Sequence, residues 1–228
     1  MSDQKLTRRP IKARESRWAA SIARWLVRVG LRPNQISVLS VVFAGLAGGC
    51  LALSGASPAL WKIILFVAAA ACIQLRLLCN LFDGMVAVEG GLKSKSGEIY
   101  NELPDRISDA LVLVGAGYAF PAQEWTPQLG WAAAVLALIT AYVRTLGASA
   151  GASQHFIGPM AKQQRMFITT LASLATAVGL LCGKPIAFFS AALGIVVAGC
   201  LVTIARRTRR IIRELESATS GGAGGSPR

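Results

Sequence analysis

Between Asn80 and Asp109 the chain reads NLFDGMVAVEGGLKSKSGEIYNELPDRISD and carries six of its eleven acidic residues: Asp83, Glu89, Glu98, Glu102, Asp105 and Asp109. Apolar sequence flanks the stretch on both sides. A carboxylate in a lipid-buried helix costs roughly 2.5 to 3.5 kcal/mol on insertion scales, so a cluster there needs a compensating partner, most simply a hard cation. Asn80 and Asp83 are three apart, and Asn101, Asp105 and Asp109 are four apart, so each set shares one face of a helix. Two such faces brought together form one oxygen-lined cluster. Gly84 follows Asp83, Gly97 precedes Asn101 by four, and a residue without Cβ lets a bulky ligand approach the backbone. Phosphates bridged by Mg²⁺ are the usual partner of carboxylates and glycines so arranged. A plainer reading makes the same residues a solvated loop and helix caps.

The elements that must position these groups are membrane helices. The 228 residues are 54% hydrophobic and 15% charged, the profile of a membrane protein rather than a soluble domain. Charge-poor segments at about 36–54, 58–80, 101–120, 129–146, 166–181 and 185–205 predict six spans. Pro104 is tolerable in the first turn of the third, and Pro121 is a natural stop. The continuation of the second span into Asp83 predicts a helix that projects past the apolar zone. Gly45 and Gly49 form a G-x-x-x-G in the first span that allows close helix packing.

The fold class is therefore all-α, a polytopic membrane protein with six transmembrane helices preceded by an interfacial amphipathic helix. Residues 1–35 form a polar N-terminal segment with no apolar signal region or cleavage site. In it Trp18, Ile22, Trp25 and Val29 recur at helical spacing while Arg17, Arg24 and Arg28 cluster on another face, which fits the plane of an anionic membrane surface. Residues 36–205 form the membrane domain. Residues 206–228 start as a basic helix (Arg206, Arg207, Arg209, Arg210, Arg213) and end in a Gly and Ser stretch expected to be disordered.

The chemistry-bearing stretch resembles the signature of the CDP-alcohol phosphotransferases, D-x2-D-G-x2-A-R-x8-G-x3-D-x3-D. In unbroken register it falls on Asn80, Asp83, Gly84, Ala87, Val88, Gly97, Asn101 and Asp105. Identity holds at Asp83, Gly84, Ala87, Gly97 and Asp105. Asn80 and Asn101 replace the first and third aspartates, and Val88 replaces the arginine. The run Asp105, Arg106, Ile107, Ser108, Asp109 further resembles the phosphatidylinositol phosphate synthase branch, and Pro33-Asn34-Gln35-Ile36-Ser37 resembles the family's approach to its first span.

The resemblance implies attack by an alcohol hydroxyl on the lipid-linked phosphorus of a CDP-alcohol such as CDP-diacylglycerol, with release of CMP. Asp105 corresponds to the catalytic base. Asn80, Asp83, Asn101 and Asp105 correspond to the ligands of one or two Mg²⁺ or Mn²⁺ ions. Gly84, Ala87 and Gly97 leave room for the CDP moiety, and Arg144, Lys162 and Arg165 lie where the family binds phosphates. The asparagines keep oxygen ligands but remove two formal charges, which Glu102 or Asp109 could restore. Neither Arg76 nor Arg106 is an obvious replacement for the missing arginine. The resemblance also implies a homodimer.

Charge distribution sets the orientation. Alternating spans from a cytoplasmic N-terminus place every Lys and Arg of the 24 except Lys62 and Lys184 at the cytoplasmic side. Both termini and the acidic site then share that face, as expected of an integral protein of a bacterial inner membrane. The same distribution accounts for the net charge of +13 without nucleic acid. A single histidine, His155, excludes a His-rich metal site. The five cysteines lie in or beside apolar spans without C-x-x-C spacing and read as packing residues. No Walker A or Rossmann glycine pattern seats ATP or NAD. Two other readings use the same residues: a lipid-binding or partner subunit that has lost catalysis, supported by the two asparagines, and a small transporter lined by intramembrane acids and Arg144. Acids massed at one membrane face favour the enzyme over the transporter.

Overall fold

The computed structural model describes residues 16–91, 97–119, 124–184 and 188–222. Seven helices account for most of them: α1 (Arg17–Arg28), α2 (Pro33–Ser54), α3 (Ala59–Glu89), α4 (Gly97–Gly117), α5 (Thr126–Ser149), α6 (Lys162–Leu181) and α7 (Phe188–Gly222). The described residues contain no strand. Five helices, α2, α3, α5, α6 and α7, are long and apolar enough to cross a membrane. Of the six expected spans the exception is α4, which holds Glu98, Glu102, Asp105, Arg106 and Asp109 in its first half. Its apolar half supplies Val112, Leu113 and Ala116 to the core. Many large apolar side chains point outward on the spanning helices, including Leu39, Leu46, Val67, Leu75, Leu138, Leu171 and Ile195. Such a surface suits hydrocarbon rather than water.

Local sequence sets the helix starts. Pro33 fixes φ at the first position of α2, and the Gln35 side chain accepts from the Arg32 backbone N–H at 2.9 Å, satisfying an otherwise orphan donor. At the other end of the segment, α3 runs to Glu89, so Asp83 and Gly84 lie on its last turns as the sequence predicted. Pro104 differs from expectation. The helix begins at Gly97, four residues earlier than the sequence indicated, and Pro104 sits inside it, where it cannot donate back to Tyr100.

Alanine and glycine dominate the contacts. Ala44 and Ala47 of α2, Ala69 of α3, Ala116 of α4 and Ala133, Ala134 and Ala137 of α5 are nearly inaccessible, so the backbones approach closely. Phe66 and Phe189 stack at 5.5 Å between ring centroids in the same core. The tightest crossing is not at the G-x-x-x-G pair. A Cβ on Gly115 would lie 2.3 Å from the Gly48 carbonyl oxygen, whereas Gly49 faces open space and Gly45 meets only a Leu111 methyl at 3.9 Å.

The helix α1 docks through Ala19 and Ala23 on a second cluster, Ile36, Cys79, Leu81, Phe82, Met85 and Val86, at the end of the bundle that carries the acids. Trp18 meets Phe82 edge-on at 6.2 Å. Trp18, Ile22, Trp25 and Val29 remain exposed. This is the arrangement expected of a helix that lies on a membrane surface rather than one packed by its apolar face on its own protein. The helix α7 continues without a break through Arg206, so the last predicted span and the basic run share one element. Residues 1–15, Pro121, Pro185 and the last residues of the Gly and Ser tail lie outside the described residues.

Candidate functional site

The C-terminal turns of α3 and the N-terminal half of α4 come together at one end of the bundle, flanked by the starts of α2 and α6, the end of α5 and the middle of α7. Asp83 is buried, and the Ser37 hydroxyl of α2 donates to its Oδ2 at 2.8 Å. Asp105 of α4 is buried too, and its Oδ2 accepts from Lys162 Nζ of α6 at 2.6 Å. Asp83 interacts electrostatically with both Asp105 and Lys162. One carboxylate from each expected face, Asp83 of α3 and Asp105 of α4, is thus buried at this end of the bundle. Asn80 is half-buried beside Asp83 on the same face, and Asn101 is exposed near the start of α4.

One turn below Asp105, Asp109 is held by two guanidinium groups. Arg76 Nη2 donates to Asp109 Oδ1 at 2.6 Å, and Arg165 Nη2 pairs with Asp109 Oδ2. Arg76 also donates to the Asp105 carbonyl at 3.3 Å and stands 3.9 Å from Asp105 Oδ1. Arg165 donates to the Met160 carbonyl at 3.0 Å and is about 1% exposed. Expected among the phosphate ligands, Arg165 instead has its charge turned inward onto Asp109. The carboxylates proposed to restore lost charge are both engaged: Asp109 here, and Glu102 by Arg106 and by Arg144 Nη2, the latter at 2.6 Å.

Arg144 is positioned by more than Glu102. It reaches Gln154 Oε1 at 3.3 Å and lies over the Phe156 ring at 5.1 Å. The loop that supplies Gln154 and Phe156, and that leads to Lys162, is fastened to α7. Thr203 Oγ1 accepts from the Met160 N–H at 3.0 Å, and Arg207 Nε donates to the Ile157 carbonyl at 2.9 Å. Glu214 Oε1 accepts from the Ser153 N–H and hydroxyl at 2.9 and 2.6 Å, and its other oxygen meets His155. Gly158 holds φ of +119° with Thr203 where a Cβ would lie, at 2.5 Å, so only glycine passes there.

Gly84 and Ala87 on α3 and Gly97 at the head of α4 are half-buried around the acids, and Val88 is exposed. Three contributors escaped the sequence reading. Ser37 was visible only as the end of the Pro33 to Ser37 run, Arg76 only as a charge near the acids, and the α7 clamp required a tertiary contact that no local pattern announces.

The donor set suits a divalent cation in part. Asp105 Oδ1 is buried with no hydrogen-bond partner among the described residues, and so is Asn80 Nδ2. An orphan carboxylate oxygen beside a second carboxylate fits a hard cation. Among the described residues no group of three or more His, Cys, Asp or Glu side chains converges as a metal site. The fit is thus to a site built on two carboxylates with neutral oxygens completing it.

No family model and no curated protein matches the sequence. Solved structures do share the fold. Phosphatidylinositol phosphate synthase of Mycobacterium tuberculosis with CDP-DAG bound superposes with a TM-score of 0.70 at 22% identity, over 86% of this chain and 94% of that one. The same synthase with manganese and citrate gives 0.68 at 22% identity, covering 85% and 88%. Its apo form gives 0.60 at 23% identity, covering 83% and 93%. At this identity the likeness is one of fold, and the fold is that of a polytopic membrane bundle.

Proposed function

We propose that this protein is a CDP-alcohol phosphotransferase of phospholipid biosynthesis. It transfers the phosphatidyl group of a CDP-diacylglycerol-like donor to an alcohol hydroxyl and releases CMP, at the cytoplasmic face of a bacterial inner membrane. The observation that carries this reading is the contrast within α4: Asp109 is saturated by cations while Asp105, one turn away, keeps a buried oxygen that accepts no hydrogen bond among the described residues. The shared fold with a synthase solved with CDP-DAG bound adds support.

In this account Asp83 and Asp105, with the Asn80 and Asn101 amide oxygens, hold Mg²⁺ or Mn²⁺. A bound divalent ion neutralises the diphosphate and stabilises the leaving oxygen. Ser37 fixes the Asp83 carboxylate through its hydroxyl. Asp105 takes the proton from the attacking hydroxyl. Lys162 is the one site cation with substantial exposure, 26% for its side chain, so donor phosphates draw its ammonium off Asp105 and free the base. Gly84, Ala87 and Gly97 leave space for the cytidine and ribose. Arg144, held between Glu102, Gln154 and Phe156, offers its remaining donor capacity to an acceptor phosphate, which favours a phosphorylated polyol. Arg165 braces Asp109 from below. The chain works as a homodimer, a point checked by light scattering of the detergent-solubilised protein.

Incubation of purified protein with CDP-diacylglycerol, Mg²⁺ or Mn²⁺ and a panel of alcohols, with CMP measured, tests the reaction. CMP that appears with one acceptor and requires the ion supports it. Donor binding without CMP from any acceptor supports a non-catalytic lipid-binding subunit instead, the reading that Asn80 and Asn101 favour.

A further inference from the structure

Arg76 is the buried charge that the proposed reaction does not use. Its side chain is inaccessible, Nε and Nη1 have no hydrogen-bond partner among the described residues, and only Nη2 is engaged. A guanidinium so placed is costly, because its desolvation is only partly offset. Asp109 does not require it, since Arg165 already pairs with that carboxylate. Arg76, Asp109 and Arg165 together leave one positive charge in excess, and Arg76 Nη2 lies 3.9 Å from Asp105 Oδ1, the oxygen that accepts no hydrogen bond among the described residues.

Arg76, Asn80 and Asp83 follow one another along α3 at spacings of four and three, so the guanidinium lies one turn beneath the site on the face that carries it. Around Asp105 the buried carboxylates of Asp83, Asp105 and Asp109 face the cations Arg76, Lys162 and Arg165, three against three. Glu102 faces two further cations, Arg106 and Arg144, so the site has no deficit of positive charge before any ion arrives. One divalent ion then adds two positive charges, which the two negative charges of the donor's diphosphate diester cancel. A second ion would leave two charges uncompensated in a low-dielectric surrounding.

We infer that Arg76 is a built-in replacement for a second metal ion: the site binds a single divalent ion on Asp83 and Asp105, and the buried guanidinium supplies fixed charge and excludes another. This deepens the proposed function by narrowing one or two ions to one, and it rests on that reading for the identity of the site. Arg76 is a positioning residue, acting on the ion through Asp105 and through its own field.

Mn²⁺ binding, followed by electron paramagnetic resonance with no lipid donor present, tests the inference separately from CMP release. The wild-type chain is expected to bind one Mn²⁺ with the six-line spectrum of an isolated ion. In Asn80→Asp/Asn101→Asp, which restores ligands but keeps Arg76, a second ion should bind at least about tenfold more weakly than the first. Adding Arg76→Met should bring the two within about tenfold and produce an exchange-coupled spectrum. Arg165 remains on Asp109 in that variant, so no buried carboxylate is stranded. Two ions, or none, in the wild type would overturn the inference, as would a tight coupled pair in the double variant. Those two proteins decide the matter even if the triple variant does not fold. Single-ion binding without CMP release would leave this inference standing and remove the proposed reaction.

Discussion

Asp105 and Asp109 occupy one face of α4, a single turn apart, and are both buried, yet their surroundings assign them opposite work. Asp109 meets a guanidinium on each oxygen, from α3 and from α6, and so ties three helices at a single point. Asp105 has one oxygen on a partly exposed lysine, and the other, with Arg76 no nearer than 3.9 Å, accepts no hydrogen bond among the described residues. Charge that is fully satisfied locks a fold, and charge that is left partly satisfied is available for a ligand. The difference between the two carboxylates is therefore a difference between holding the site and operating it.

Removing the lower carboxylate should have the largest structural effect. Asp109→Asn leaves two buried guanidinium groups facing a neutral amide, and it should lower stability by about 3 to 5 kcal/mol. Unfolding in detergent micelles measures this, and an unchanged midpoint would erase the distinction drawn between the layers. Next in size is a purely steric lesion far from any charge. Gly115→Val drives a Cβ into the Gly48 carbonyl, and at about 1 to 3 kcal/mol or more of overpacking it should loosen α2 from α4 while leaving the acids in place.

Smaller changes sharpen the upper layer. Ser37→Ala removes the hydroxyl that orients Asp83, so the Mn²⁺ concentration for half-saturation should rise about tenfold with little change in melting. A large fall in melting temperature with unaltered ion affinity would move Ser37 into the structural layer. The smallest effect belongs to the rim, where Glu214→Gln weakens an exposed clamp on Ser153 and His155. Faster proteolytic nicking around residues 150–157, with normal ion binding, is the expected result.

The sequence made the outer plan legible because each of its signals is local. Uncharged runs set the helices, spacing of three and four aligned Asn80 with Asp83 and Asn101 with Asp105, and the tryptophans of α1 announced a face that remains exposed. What stayed hidden depends on which helices meet. The G-x-x-x-G of Gly45 and Gly49 was the visible packing motif, but the close crossing uses Gly48 and Gly115, whose apposition needs the register of two helices. Pro104 looked like a first-turn residue because prolines prefer that position, and the polar stretch before it concealed the earlier helix start. Arg76 was visible as a charge near the acids, and Arg144 and Arg165 as expected phosphate ligands. Their division into braces and ligand candidates required the tertiary pairing with Asp109 and Glu102.

The decisive measurement is CMP release by Asp105→Asn beside its unfolding midpoint. The account predicts a fall of at least about 100-fold in turnover with a midpoint near that of the wild type, since Lys162, 26% exposed, can turn to water and Arg76 keeps its pairing with Asp109. Turnover within a few-fold of wild type, from a protein equally stable, would contradict the claim that Asp105 performs the chemistry.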